Sequence, residues 1–143
     1  MNFTIFFERG LNKLAEEISL YKDENDLWKT KEGITNSAGN LALHLIGNLN
    51  HFIGRTLGNT NYARDHEKEF SLKNIPRQKL IDGINHVSEI IKNTLPKLSN
   101  DDLKKDFPLK INDEVFSTDN MLLHLLTHLN YHLGQVNYHR RMI

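Results

Sequence analysis

Apolar residues recur every three or four positions in four separate stretches of this chain. That spacing places them along one face of an α-helix and predicts four amphipathic helices of about twenty residues each. The first begins at Phe3, the second runs from about Ser37 to Leu57, the third begins near Pro76, and the fourth follows a capping residue at Thr118. Four such helices predict an all-α four-helix bundle, because each apolar face needs the others to cover it.

The segment between the third and fourth helices allows a short β-hairpin in addition. Phe107, Leu109 and Ile111 alternate with other residues, and Asn112-Asp113 suits a tight turn. A chain of 143 residues corresponds to one domain, which we take to span residues 1–143.

Charge and composition exclude several classes of function. Eighteen basic residues balance eighteen acidic ones, so the formal net charge is zero, which argues against nucleic-acid and membrane partners because both favour a basic excess. The amino-terminal MNFTIFFERG lacks the features of a signal peptide, and we expect a cytoplasmic protein. With no cysteine in the chain, a bound metal must use histidines, carboxylates, amides or water.

Four of the eight histidines lie between Met121 and Arg140, in the sequence MLLHLLTHLNYHLGQVNYHR. His124, His128 and His132 are spaced by four, so they lie above one another beside the leucine stripe of the fourth helix. Two imidazoles in this arrangement can bind one divalent metal ion. The alternative is a solvated helix edge whose rings bond to their neighbours, and His124 fits that alternative best.

His44 borders the apolar stripe of the second helix in the same way. If the second and fourth helices pack side by side, His44 faces His128 and His132. Three imidazoles leave coordination positions open for water or substrate, which is typical of catalytic rather than structural metal sites. The remaining histidines are interpreted as surface residues or as supports for the ligands: His51, His66, His86 and His139.

Four residues near these histidines are candidates for supporting the metal or binding a substrate. Asn48 and Gln135 can orient a ligand or a bound water, or they are ordinary amides. Arg55 can hold an anionic group, although a surface salt bridge suits it better. Tyr131 can donate a proton or simply pack at the helix edge.

Asp65 and Glu69 can reach the mouth of the site, but we favour salt bridges with Arg64 or Lys68 for them.

Three motifs resemble those of a known family. H-L-N-Y-H-L-G-Q, from His128 to Gln135, resembles the carboxy-terminal signature of the DinB superfamily of four-helix bundles. N-S-A-G-N-L-A-L-H-L-I-G-N-L, from Asn36 to Leu49, and R-D-H-E-K-E-F, from Arg64 to Phe70, resemble segments of one branch of uncharacterised function.

The resemblance implies a DinB-like bundle over nearly the whole chain, homodimers, and a metal site at His44, His128 and His132. The implied ion is a divalent transition metal, with zinc or nickel preferred and iron or manganese as alternatives. Some DinB proteins are transferases or isomerases that depend on a low-molecular-weight thiol. Many relatives have arginine where this chain has Leu133, so an arginine contact found in them is absent here.

Two functional hypotheses follow. The first is a metal-dependent enzyme, a thiol-dependent transferase or a hydrolase acting on a small molecule, in which the metal activates water or a thiol as nucleophile. The second is a non-catalytic dimeric bundle that binds metal or takes part in a stress response.

Overall fold

The computed structural model describes all 143 residues and contains six α-helices, which we number α1 to α6. They are α1 Phe3–Ser19, α2 Ala38–Leu49, α3 His66–Ser71, α4 Arg77–Thr94, α5 Asn100–Lys104 and α6 Thr118–Met142. Two short 3₁₀ helices occupy Glu24–Trp28 and Leu95–Lys97, and a π-helical segment, Asn50–Arg55, continues α2. No β-strand is present.

The four long helices form a bundle around one core. Helix α1 packs against α4 and α6, and α2 packs against the same two helices. Their apolar faces meet in a single cluster of 24 buried residues, which includes Phe7, Leu45, Ile84 and Leu129. The all-α prediction is therefore confirmed. None of the helices combines the length and the apolar character needed to cross a bilayer.

Capping side chains set where the bundle helices begin. The Ser37 hydroxyl accepts a hydrogen bond from the Asn40 backbone and starts α2. Helix α6 begins one residue earlier than the sequence suggested: Ser117 is the cap, and Thr118 is the first helical residue. The Thr118 hydroxyl instead donates to the Lys105 carbonyl, which ties the start of α6 to the end of α5.

The expected hairpin between the third and fourth long helices does not form strands. Asn112 and Asp113 both have positive φ and make the predicted tight turn, but only two isolated bridges flank it, Asp106 to Ser117 and Ile111 to Glu114. Pro108 lies between the bridges and has no backbone N–H to donate, so the ladder cannot run continuously from one bridge to the other.

Helix α3 lies in the long connection between α2 and α4 and packs against α2. The Asn40 amide of α2 holds it there by donating to the backbone carbonyls of Glu69 and Leu72. This attachment brings the side chains of α3 over the middle of α2, where His44 lies.

Candidate metal centre

The structure brings together the three histidines that the sequence analysis singled out. His44 is buried on α2, while His128 and His132 are half-buried on successive turns of α6. The Nε2 atom of His128 lies 3.1 Å from the Nε2 atom of His44 and 3.1 Å from that of His132. All three rings therefore turn the same nitrogen toward one point between the two helices.

The spacing of these nitrogens fits a shared metal ion. Bonds of about 2.0–2.1 Å from one ion to two imidazole nitrogens, at angles between octahedral and tetrahedral, require the nitrogens to lie about 2.8–3.4 Å apart. The observed separations of 3.1 Å fall in that range. His44, His128 and His132 could therefore hold a divalent ion, and imidazole suits several transition metals.

Two of the rings are oriented through their other nitrogen. Nδ1 of His44 lies 3.0 Å from Oε1 of Glu69, and Nδ1 of His132 lies 2.6 Å from Oε1 of Gln135. When Nδ1 carries the proton and donates it to such an oxygen, Nε2 presents a lone pair to the centre. Nδ1 of His128 is buried without a hydrogen-bond partner, and so is Oδ1 of Asn48 on α2.

A buried ion pair lies behind His44. Arg64 donates from Nε to Oε2 of Glu69 and from Nη2 to Oε1, both at 2.9 Å. Burial alone would raise the pKa of Glu69, but the hydrogen bonds from His44 and Arg64 outweigh it and the pKa lies below its usual value. Glu69 is thus a carboxylate at neutral pH, and its charge is balanced by Arg64.

The two candidate metal ligands on α6, His128 and His132, are kept neutral near pH 7. Burial lowers the pKa of His128 to about 4, and the neighbouring His132 and His44 rings add to the shift. Burial also lowers the pKa of His132, against an opposing effect of the hydrogen bond to Gln135. Neutral imidazole is the form that binds metal, so neither ligand needs to lose a proton near pH 7.

Of the four residues predicted to support the metal or bind a substrate, three lie at or beside the three histidines and one does not. Gln135 contacts His132, and Asn48 is buried one turn beyond His44. Tyr131 is 67% exposed, with its ring centroid 5.4 Å from that of His132 at the outer edge. Arg55 is not at the centre: it is exposed and donates to the Tyr62 carbonyl rather than to a carboxylate.

His139 is neither a surface residue nor a support for the candidate ligands, contrary to the interpretation from the sequence. It is 3% exposed and lies away from the three ligands, with Nδ1 2.6 Å from the Tyr21 hydroxyl and Nε2 2.8 Å from the Lys29 carbonyl. It therefore joins the end of α6 to the segment after α1. Its position beside the apolar stripe was visible in the sequence, but its partners come from more than a hundred residues away.

Glu69 has a role that the sequence analysis missed in part. The pairing with Arg64 was expected and is present, whereas the contact with His44 was not. His66 of α3 also lies near enough to form a second potential metal-binding group with His44 and Glu69. The hydrogen bonds from Arg64 engage both Glu69 oxygens, so this second group fits a cation less well.

Comparison with known proteins places the chain in a family and names no activity. No curated protein matches the chain. A family model described as "Protein of unknown function (DUF1572)" matches residues 6–143, which include all three histidines and the Arg64–Glu69 pair. The chain, matched over nearly its whole length, belongs to this DUF1572 family.

Proposed function

We propose that this protein is a metal-dependent enzyme whose divalent transition metal is held by His44, His128 and His132. The convergence of the three Nε2 atoms carries the proposal, because that of His128 lies 3.1 Å from those of both His44 and His132. All the candidate ions accept imidazole ligands; the resemblance to DinB proteins makes zinc or nickel the preferred ion, with iron and manganese as alternatives.

We further propose that the family is a branch of the DinB superfamily. The bundle and the position of the histidines on α2 and α6 agree with the motif resemblance described above. By that analogy the reaction is a thiol-dependent transfer with a low-molecular-weight thiol, and hydrolysis is the second version. In a transfer, the thiol sulfur bonds to an electrophilic carbon, the leaving group departs with its electron pair, and the thiol proton passes to solvent.

The residues around the centre suit such a reaction. A bound divalent ion supplies the acidity that turns water or a thiol into a nucleophile near pH 7. His128 and His132 are only half-buried, so a small molecule can approach from their side. Gln135 and Glu69 hold the rings of His132 and His44, and the exposed Tyr131 can donate a hydrogen bond to a substrate beside His132.

Metal content of the purified protein, prepared without a histidine tag, tests the site. We expect about one transition-metal ion per chain, lost in His128→Ala and His132→Ala and strongly reduced in His44→Ala, since two ligands seldom hold a divalent ion tightly. His86→Ala, on the exposed face of α4, is the matched control and should keep its metal. Full metal content in all three ligand variants would overturn the assignment.

A second candidate is a non-catalytic metal-binding or stress-response bundle. It is favoured by the engagement of Glu69, the carboxylate next to the ligands, which is fully paired with Arg64 and His44 and is not free to act as a base. A screen of the metal-loaded protein with small thiols and electrophiles separates the two. Turnover that disappears in His128→Ala supports the enzyme, and inactivity with every thiol and in hydrolysis supports the binding module.

A further inference from the structure

We propose that Glu69 is a positioning residue for the metal centre. Arg64 holds its carboxylate in place, and the missing side chain of Gly47 leaves room for it. Glu69 thereby fixes the tautomer of His44 that has the proton on Nδ1 and the lone pair on Nε2. The metal-binding part of this inference rests on the proposed function. The tautomer of His44 does not, because it follows from contacts within the protein alone.

The direction of the hydrogen bond between His44 and Glu69 follows from Arg64. Guanidinium nitrogens can only donate, and Arg64 donates to both carboxylate oxygens of Glu69. Both oxygens are therefore acceptors, so the contact of 3.0 Å between Oε1 and Nδ1 of His44 must be donated by the imidazole. A neutral imidazole carries one N–H, which leaves Nε2 as an acceptor facing His128.

Gly47 makes room for the carboxylate. It lies three residues after His44 on the same helix, and a Cβ at this position would lie 2.7 Å from Cδ and 3.3 Å from Cγ of Glu69. The first of these separations is shorter than real Cβ contacts. Glu69 is itself only 5% exposed and its backbone carbonyl is held by Asn40, so it cannot easily retreat. The carboxylate can therefore rest across α2 only where a side chain is missing.

Arg64 and Glu69 belong to the connection between α2 and α4, and neither touches the point on which the Nε2 atoms converge. The hydrogen bond that joins this pair to the centre is the one between Glu69 and His44. When hydrogen bonds of this kind, in which the outer nitrogen of a ligand histidine donates to a carboxylate, are lost, metal affinity commonly changes by 10–100-fold. A glutamine at position 69 has one acceptor oxygen instead of two, so it cannot satisfy His44 and both donors of Arg64.

The tautomer is tested first on the metal-free protein. Long-range ¹H–¹⁵N correlation spectra of the histidine side chains should show His44 with a protonated Nδ1 and an unprotonated Nε2. In Glu69→Gln this preference should weaken toward a mixture of tautomers, while the spectrum of His139 should remain unchanged. A wild-type His44 with its proton on Nε2 would overturn the proposal.

The second test of the positioning role measures zinc affinity by competition with a chelator. We expect Glu69→Gln and Gly47→Ala each to bind zinc 10–100-fold more weakly than the wild type. Glu67→Gln, exposed on the same helix, and Gly134→Ala, where an added Cβ meets nothing within 4 Å, are the matched controls. Both controls should bind as the wild type does.

The outcomes separate the two proposals. Wild-type affinity in both test variants would overturn the positioning role and leave the metal site intact. A wild type that binds no ion would overturn the proposed function, and the metal-free spectra would still decide the tautomer. If Glu69→Gln does not fold, Gly47→Ala and the wild-type spectrum decide, because Gly47→Ala displaces the Glu69 carboxylate without removing any polar group of the centre.

Discussion

At the scale of single residues, burial determines how the candidate centre responds to protons. His128 lies near three other imidazoles and the Arg64 guanidinium, and all of them lower its pKa further than burial does alone. A proton on His128 would have to share this space with groups that repel it. The same features that disfavour the proton leave a lone pair available for a metal ion.

The metal-free protein should therefore lose stability as the pH falls from about 6.5 to about 4. His128 takes up a proton near pH 6.5 in the unfolded chain but only near pH 4 in the folded one, so the unfolded state binds more protons in this window. The free energy of unfolding then decreases with decreasing pH. Below about pH 4.5, protonation of Glu69, whose pKa is lowered in the folded state, weakens the fold further.

Urea denaturation of the metal-free protein at a series of pH values measures this dependence. In His128→Gln the slope between pH 6.5 and 4.5 should be smaller, because the substituted amide does not titrate. Equal slopes in the wild type and in this variant would contradict the prediction. Metal-loaded protein should show a steeper loss over the same range, since protons then compete with the ion as well.

The candidate ligands that the structure brings together were marked in the sequence by helical patterns. His128 and His132 were found by their spacing, and His44 by its place beside a leucine stripe. Glu69 was assigned to Arg64 because both are in one short segment, whereas its contact with His44 spans 25 residues. Only the folded connection between α2 and α4 shows that the contact exists.

At the scale of elements, α6 makes two separate sets of histidine contacts along one helix. Its middle turns present His128 and His132 to α2, and its last turns bury His139 against Tyr21. The Nε2–H of His139 donates to the Lys29 carbonyl, so Nδ1 accepts from the Tyr21 hydroxyl in the neutral ring. This pair anchors the end of α6 independently of the candidate metal centre.

His139→Phe should destabilise the fold by about 1–3 kcal/mol, because the Tyr21 hydroxyl and the Lys29 carbonyl both lose a buried partner. Metal content per folded chain should stay at the wild-type level. Thermal unfolding and elemental analysis of the same preparation check both parts. A loss of metal from protein that remains folded would show that His139 supports the centre after all.

Element prediction succeeded where a long apolar stripe marked the helix and failed where the elements were short. Helix α3 has six residues in a polar segment, and its signal was the cap at Asp65, which accepts from the Lys68 backbone. Helix α5 was marked by a capping box between Ser99 and Asp102. Neither helix has apolar residues that recur at helical spacing, so the hydrophobic pattern of the sequence does not predict them.

At the scale of the whole molecule, the outer face of α1 and α6 is a candidate contact between subunits. Ile5 and Phe6 are 49% and 43% exposed beside the half-buried Leu126 and Leu133. These four residues help to line a shallow groove of about 700 Å³. Such a patch on a surface helix agrees with the homodimer that the DinB resemblance implies.

Phe6→Asp should convert a dimer to a monomer, because a carboxylate would be buried without a partner in the contact. Light scattering after size-exclusion chromatography measures the mass. Leu109→Asp, which changes an apolar residue of similar exposure in the α5–α6 connection, should leave the mass unchanged. A wild type that is monomeric at high concentration would contradict the proposed dimer.

The turn at Asn112–Asp113 has a practical consequence for work with this protein. It is exposed, its backbone bonds join only Ile111 and Glu114, and it lies outside the segments that build the candidate centre. Loop tips of this kind accept inserted sequence with little cost to the fold. A purification epitope free of histidine, or a fluorescent reporter, placed in this turn would allow metal binding to be followed without adding competing ligands.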